Sequence, residues 1–217
     1  MSLSVIATPI GNLGDISLRA IETLKQADLI IGEERKVVSK LIKLLELGRK
    51  EIELLNEHSD QKDIEFLTLQ CLEKNVALVS DCGTPGFCDP GALLVKSCRN
   101  KSIKVHILPG ASSLMAFLSG SGKDFKNFYF RGFLPAKNED RISELKLLSK
   151  IKEPMIIMDT PYRLTKTLED LVNFFPTRKV IIATSLTKDG EQFLDGSPQR
   201  ILDQLKGQKL EFILALY

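Results

Sequence analysis

Glu33 and Glu34 stand directly after the apolar run Leu29-Ile30-Ile31-Gly32, with Lys36 close behind. Lys188 and Glu191 flank Asp189-Gly190, and His58 sits within Asn56-Glu57-His58-Ser59-Asp60. These residue types suit proton transfer or the holding of charge. Each also has a plain reading as a solvated loop or helix-start residue, since an acid at a helix start already satisfies the helix dipole. No Ser–His–Asp order or paired-carboxylate spacing stands out. Two histidines in the whole chain leave no His-rich metal centre. Cys71, Cys82, Cys88 and Cys98 form no C-x-x-C pair, and the Cys82–Cys88 spacing lies outside the usual zinc patterns, so free thiols and no metal are expected.

A stronger signal lies in four loops. They are Ala7-Thr8-Pro9-Ile10-Gly11-Asn12-Leu13-Gly14-Asp15, Ser80-Asp81-Cys82-Gly83-Thr84-Pro85-Gly86-Phe87-Cys88-Asp89-Pro90-Gly91, Leu108-Pro109-Gly110-Ala111-Ser112-Ser113 and Met158-Asp159-Thr160-Pro161-Tyr162-Arg163. Glycine lets a backbone approach a ligand closely, and proline stiffens the same segment. Any one such loop is explained as a turn. Four of them at strand ends point to a shared ligand cleft. Gly11 and Gly14 do not form G-x-G-x-x-G, so a dinucleotide site of the familiar kind is not expected. Gly120-Ser121-Gly122-Lys123-Asp124 resembles a P-loop only superficially, because Phe117 stands where its first glycine belongs and Asp124 replaces the hydroxyl residue.

The elements that must position these loops alternate. Short apolar runs at residues 3–8, 28–32, 51–55, 76–80 and 103–108 read as strands. Helical spacing intervenes at residues 15–27, with Asp15 as N-cap, and at 34–47, 60–74, 92–100 and 112–119. Near-continuous apolar strands between helices predict a parallel sheet covered on both faces. The second half is mixed. Strands are expected at 127–131, 154–159, 179–184, 191–194 and 210–216, with helices at 138–152 and after Pro161. The fold class is therefore α/β in two domains, a parallel-sheet domain at 1–121 and a mixed-sheet domain at 122–217, hinged at the Gly120–Asp124 segment.

The 217 residues suit one large or two small domains. Hydrophobic residues make up 43% and charged residues 27%, which excludes disorder. A net charge of +2, from 30 Lys+Arg against 28 Asp+Glu, excludes a nucleic-acid-coating protein but permits a local basic patch. Arg131, Lys137, Arg141 and Lys146 beside Phe128, Tyr129, Phe130 and Phe133 are the nearest thing to one. That group suits RNA phosphate and base stacking, although Phe128 and Phe130 also alternate as a buried strand does. No apolar run approaches the ~18 residues that span a bilayer, and the first residues lack a basic n-region, so no membrane partner and a cytoplasmic location are expected.

Thr8-Pro9-Ile10-Gly11-Asn12-Leu13-Gly14-Asp15-Ile16, Ser80-Asp81-x-Gly83-Thr84-Pro85 with Asp89-Pro90-Gly91, Leu108-Pro109-Gly110 and Gly132-Phe133-Leu134-Pro135-Ala136-Lys137 resemble the tetrapyrrole-methylase superfamily. The closest branch resembles the ribosomal RNA small subunit methyltransferase I family, which 2'-O-methylates a cytidine ribose. The resemblance runs in order along nearly the whole chain. It implies an S-adenosylmethionine-dependent methyltransferase, a homodimer, and the methyl donor folded into the cleft between two α/β domains. Carried over by position, the donor would touch Ile10 and Gly11, then Asp81, Gly83, Thr84 and Phe87, then Gly110, Ala111 and Ser112, with Met158, Ala183 and Phe212 from the second domain. The implied partner is ribosomal RNA or the small ribosomal subunit. Glu33, Glu34 and Lys188 are the candidates to assist at the acceptor.

Several positions depart from the rRNA branch. Glu33-Glu34-Arg35-Lys36 replaces Glu-Asp-Thr-Arg, and Asp159-Thr160-Pro161-Tyr162-Arg163 replaces Glu-Ser-x-His-Arg. Thr184-Ser185 replaces Arg-Glu ahead of Leu186-Thr187-Lys188, and Lys209-Leu210-Glu211 replaces Lys-Gly-Glu. The donor motifs are kept and the acceptor motifs altered. Two alternatives therefore stand beside the rRNA enzyme: a methyltransferase of the same fold acting on a tetrapyrrole or a protein side chain, and a non-catalytic cofactor-binding member.

Overall fold

The computed structural model describes residues 1–87 and 91–217. The chain forms two compact units, Met1–Ser112 and Ser113–Tyr217.

The first unit alternates strand and helix: β1 (Ser2–Ile6), α1 (Leu18–Gln26), β2 (Leu29–Gly32), α2 (Arg35–Leu44), β3 (Glu51–Leu54), α3 (Gln61–Glu73), β4 (Asn75–Val79), α4 (Gly91–Asn100) and β5 (Lys104–Leu108). The five strands run parallel in the order β3-β2-β4-β1-β5. Side chains alternate across a strand, so each apolar run supplies both faces. Leu3, Val5, Leu29, Ile31, Val76 and Leu78 pack with Ile64, Leu67 and Cys71 of α3 and Leu94 and Cys98 of α4. Ile6, Ile30, Ala77 and Val79 pack with Ala20 and Leu24 of α1 and Val38 of α2. The near-continuous apolar strands of the sequence are explained by this double cover. Thr68 Oγ1 donates to Ser97 Oγ at 2.9 Å, tying α3 to α4 beside the buried thiols of Cys71 and Cys98. The hydrogen bond between those thiols, together with burial, pushes that of Cys71 up. Cys88 and Asp89-Pro90 of the second loop motif lie outside the described residues.

The second unit holds α5 (Ser113–Gly120), β6 (Tyr129–Phe133), α6 (Asn138–Leu148), β7 (Met155–Asp159), α7 (Leu164–Phe174), β8 (Val180–Thr184), β9 (Gln192–Gly196), α8 (Pro198–Leu205) and β10 (Phe212–Leu216). Its sheet order is β6-β7-β10-β8-β9; β6 and β7 are parallel and the remaining pairs antiparallel. One face, with Met155, Ile157, Val180, Ile182, Phe212, Leu214 and Leu216, packs on Leu145, Leu168, Leu171, Ile201 and Leu205 of α6, α7 and α8.

Four local features differ from the sequence expectations. The helix expected from residue 15 starts at Leu18, because Ser17 is the better cap and its hydroxyl accepts from Ala20 N at 3.1 Å. Asp15 instead lies in a short 3-10 turn capped by Asn12. The strand expected at 127–131 runs Tyr129–Phe133, with a bulge between Phe130 and Gly132. The helix expected to reach residue 152 ends at Leu148. Helix α8 was not expected; its signals are Ser197 as cap, Pro198 in the first turn, and Ile201, Leu202 and Leu205 on one face.

The division between units also falls earlier than expected. It precedes α5 rather than following it, because Phe117 of α5 stacks on Phe193 at 6.3 Å, within the second unit. The Gly120–Asp124 segment, expected as an interdomain hinge, is therefore internal to that unit. It is anchored there: Lys123 Nζ lies 2.6 Å from Asp195 and 4.4 Å from the ring centre of Tyr217, whose hydroxyl donates to Asp195 at 2.6 Å.

Candidate functional site

In the first unit the chain leaves β1 toward β2 and leaves β4 toward β5, although β1 and β4 are neighbours. Connections departing in opposite directions open a crevice at the carboxyl ends of such a pair. The loops after β1, β4 and β5 meet there. Thr8 and Gly83 form an antiparallel bridge, with Thr8 N donating to Gly83 O at 2.8 Å and Gly83 N to Thr8 O at 3.2 Å. Thr8 Oγ1 donates to Ser80 O at 3.0 Å. Ala7 N donates to Leu108 O at 3.2 Å, and Thr84 Oγ1 to Ala111 O at 3.2 Å.

Glycine suits two of these crossings, one by its backbone angle and one by close approach. Gly83 sits at φ +87°, and a Cβ there would meet Ile10 Cγ2 at 3.4 Å. A Cβ on Gly110 would meet the Ala7 Cβ at 3.0 Å. With Ile10 turned inward, the exposed parts of the cradle are Gly11 and Gly110, with Thr84, Ala111 and Ser112 half-exposed and Phe87 exposed at its rim. Small side chains let a ligand approach the backbone closely. That suits a donor that carries an amino acid, a ribose and a purine, all rich in hydrogen-bonding groups.

The expected acids gather at the same edge. Glu34 N donates to Asp81 Oδ1 at 3.2 Å, and Asp81 N donates to Glu33 Oε1 at 3.2 Å. Burial pushes the Asp81 carboxyl above the usual carboxylate range, and the Glu34 charge adds to that, against the lowering effect of the Glu34 amide. Sequence reasoning placed Asp81 with the donor and Glu33 and Glu34 with the acceptor; the structure links the three directly. His58 lies in an exposed loop next to Glu57.

Lys188 lies in the second unit and is ion-paired with Glu211, while Ser185 and Thr187 around it hold positive φ. Met158 and Ala183 share a row across β7, β10 and β8 through Ile213. Phe212 is in the next row and points to the opposite face, into the core under α7 and α8. Any approach of a ligand to residue 212 is therefore by its backbone. Thr184, in the row of Phe212, has a buried hydroxyl without a hydrogen-bond partner.

The basic patch expected around β6 is largely consumed by ion pairs. Arg141 is buried, donating to Asp170 at 2.6 Å, Asp159 at 3.1 Å and Thr167 at 2.8 Å. Arg131 is paired with Glu144. Lys137 and Lys146 remain exposed. Sequence reasoning missed this network because its members are spread from residue 141 to residue 170 on three elements. Arg163 extends it outward: it pairs with Asp159 at 2.7 Å and donates to the carbonyls of Leu134 and Pro135 at 3.2 and 3.3 Å. The loops after β6 and β7 are thus fixed to one another.

Among the described residues, no group of three or more His, Cys, Asp or Glu is arranged to hold a metal, and no helix is long and apolar enough to cross a membrane.

Comparison with known proteins identifies the family. The family model for tetrapyrrole (corrin/porphyrin) methylases matches residues 2–201. A ribosomal RNA small subunit methyltransferase I from Neisseria meningitidis serogroup B is 36% identical, the match covering 100% of this chain and 76% of the relative. The protein of that name from Synechocystis is 40% identical over 91% of this chain and 71% of its own length. The Thermotoga maritima one is 37% identical over 95% and 93%. Among solved structures, a diphthine synthase superposes with a TM-score of 0.80 at 15% identity, covering 100% of this chain and 90% of its own. A uroporphyrin-III-C-methyltransferase from Thermus thermophilus gives 0.66 at 15% identity over 99% and 93%. The chain belongs to the tetrapyrrole methylase family, within its ribosomal RNA small subunit methyltransferase I group, and is a methyltransferase that uses S-adenosylmethionine.

Proposed function

We propose that the protein methylates the 2'-hydroxyl of a cytidine ribose in small-subunit ribosomal RNA. The observation that carries the reading is the laced cradle after β1, β4 and β5 with Glu33, Glu34 and Asp81 on its edge, in a chain whose relatives carry the rRNA methyltransferase name. The bound donor supplies an electrophilic methyl group on a sulfonium. Ile10, Gly11, Asp81, Gly83, Thr84, Phe87, Gly110, Ala111 and Ser112 hold it in this reading.

The protein's work is then orientation and proton handling. Holding the acceptor oxygen in line at near-attack distance supplies about 7–11 kcal/mol of barrier reduction. A ribose hydroxyl is a weak nucleophile, so a nearby carboxylate must accept its proton as the new bond forms. Glu33 and Glu34 are assigned to that task. Lys188, charged and paired with Glu211, suits a phosphate contact better than a base. The reading includes a homodimer and a cytoplasmic location, where ribosomal subunits are found; sedimentation at the 24.2 kDa mass of one chain would count against the dimer.

The test is direct. Incubate the protein with radiolabelled S-adenosylmethionine and undermethylated small subunits, then locate the label. A labelled ribose in small-subunit RNA is the expected result. Label on a tetrapyrrole precursor or on a protein side chain overturns it, as does donor binding without transfer to subunits.

A further inference from the structure

Among the described residues, the loops after β7 and β8 and the segment entering β10 lie side by side, because β10 pairs with both strands. Tyr162 projects from this edge with 80% of its surface exposed. The backbone that carries this ring is anchored on both sides. It sits in a 3-10 turn, Pro161–Arg163, opened by a proline. The flanking Asp159 is held by Arg141 and Thr167, and the flanking Arg163 by Asp159, Leu134 and Pro135. Lys209 brings its ammonium to 5.3 Å from the Tyr162 ring centre. Lys206, Lys188 and Lys137 are also exposed around the same strand ends. The acids among them are Glu211, paired with Lys188, and Glu191, which accepts from Thr187 N at 2.7 Å, together with the exposed Asp189.

We propose that Tyr162 and Lys209 form a clamp for one unpaired nucleotide of the RNA substrate, the ring stacking on the base and the ammonium meeting the adjacent phosphate. The inference rests on the rRNA reading above and names how that substrate is gripped. An aromatic face is tolerant of base identity, and a cation beside it satisfies the backbone charge that accompanies every base. A tetrapyrrole also offers a π face and carboxylates, but a macrocycle is best held in an enclosed apolar pocket, whereas this platform is open. Unpaired RNA presents splayed bases to such platforms.

The test compares Tyr162→Ala, Tyr162→Phe and Lys209→Ala with the parent protein. Three quantities are read: affinity for a fluorescein-labelled single-stranded oligoribonucleotide of small-subunit sequence, KM and kcat for undermethylated subunits, and donor affinity by calorimetry. Tyr162→Ala should weaken RNA binding about 5- to 150-fold, the range for losing one stacked base, and raise KM in step. Tyr162→Phe should behave as the parent. Lys209→Ala should lower the salt slope of RNA binding by about 0.7, one phosphate's share on a single strand. Donor affinity should be unchanged in all three. Parental RNA affinity in Tyr162→Ala, in a background that methylates subunits, overturns the clamp and leaves the rRNA reading intact. Loss of donor binding in Tyr162→Ala also overturns the clamp, by giving the ring another role. A parent protein that labels a tetrapyrrole and no RNA overturns both.

Discussion

Arg141 and Asp159 meet at 3.1 Å with 3% and 0% of their side chains exposed. A charge removed from water so completely must be matched, and Asp170 at 2.6 Å completes the match on the other edge of the guanidinium. The pair joins α6 to the end of β7, and through Asp170 to α7. Breaking a buried pair from one side leaves the remaining charge uncompensated. Arg141→Leu should therefore cost about 3–5 kcal/mol, read as a fall in the urea midpoint. Arg131→Leu, which frees the half-exposed Glu144, should cost less than half as much.

Gly120 closes α5 against Phe193. A Cβ there would come within 2.5 Å of the ring Cζ and 2.9 Å of Cε2, closer than real contacts allow. Gly120→Ala must push Phe193 off its stack on the buried Phe117, at about 1–3 kcal/mol of overpacking. Adding Phe193→Leu should recover part of the loss in thermal unfolding. A double variant no better than Gly120→Ala would show that the ring is not the obstacle.

Asp81 gives the stability of the first unit a definite pH dependence. Burial raises its folded pKa, so the folded state holds the proton more tightly than the unfolded chain. Its effect is absent below the ordinary Asp value and becomes an increasing penalty as pH rises through that value toward the folded one. Asp81→Asn keeps an oxygen for the Glu34 amide and removes the charge. The variant should be more stable than the parent at neutral pH and equal to it near pH 3, in paired urea titrations. If Asp81 touches the donor, the same variant should bind S-adenosylmethionine more weakly at neutral pH.

Thr84 separates two roles within the cradle. Its hydroxyl ties the loop after β4 to Ala111 O, while its side chain lies at the exposed edge. Thr84→Val removes the tie alone and should weaken donor affinity about 5- to 10-fold, the worth of one hydrogen bond of about 1 kcal/mol or slightly more. Thr84→Trp fills the cradle and should abolish donor binding in calorimetry while the fold, read by circular dichroism, persists.

Much of this architecture was legible in the chain. Apolar runs such as Leu29-Ile30-Ile31 and Val76-Ala77-Leu78-Val79 announce strands buried on both faces, and Asp60 with Asp63 marks the start of α3 by a capping box. The loops after β1, β4 and β5 were visible because glycine and proline report local backbone geometry, which neighbouring residues largely decide. Helix α8 was missed although its cap and proline were present, since two strand-like segments flank it. The strand reads two positions early in the sequence because the bulge between Phe130 and Gly132 breaks the alternation.

Long-range pairing was left to tertiary structure. Sequence assigned Arg141 to a basic surface; folding places it among Asp159, Thr167 and Asp170, which approach only when α6, β7 and α7 pack. The resemblance grouped Phe212 with Met158 and Ala183 as donor contacts; strand register turns its side chain to the face opposite theirs. Sequence gave α5 to the first domain, and a ring-on-ring contact with Phe193 gives it to the second. Periodicity and turn chemistry are properties of a few adjacent residues and can be read along a line. Which charge meets which, and which face a strand presents, depends on residues dozens of positions away, and that only packing decides.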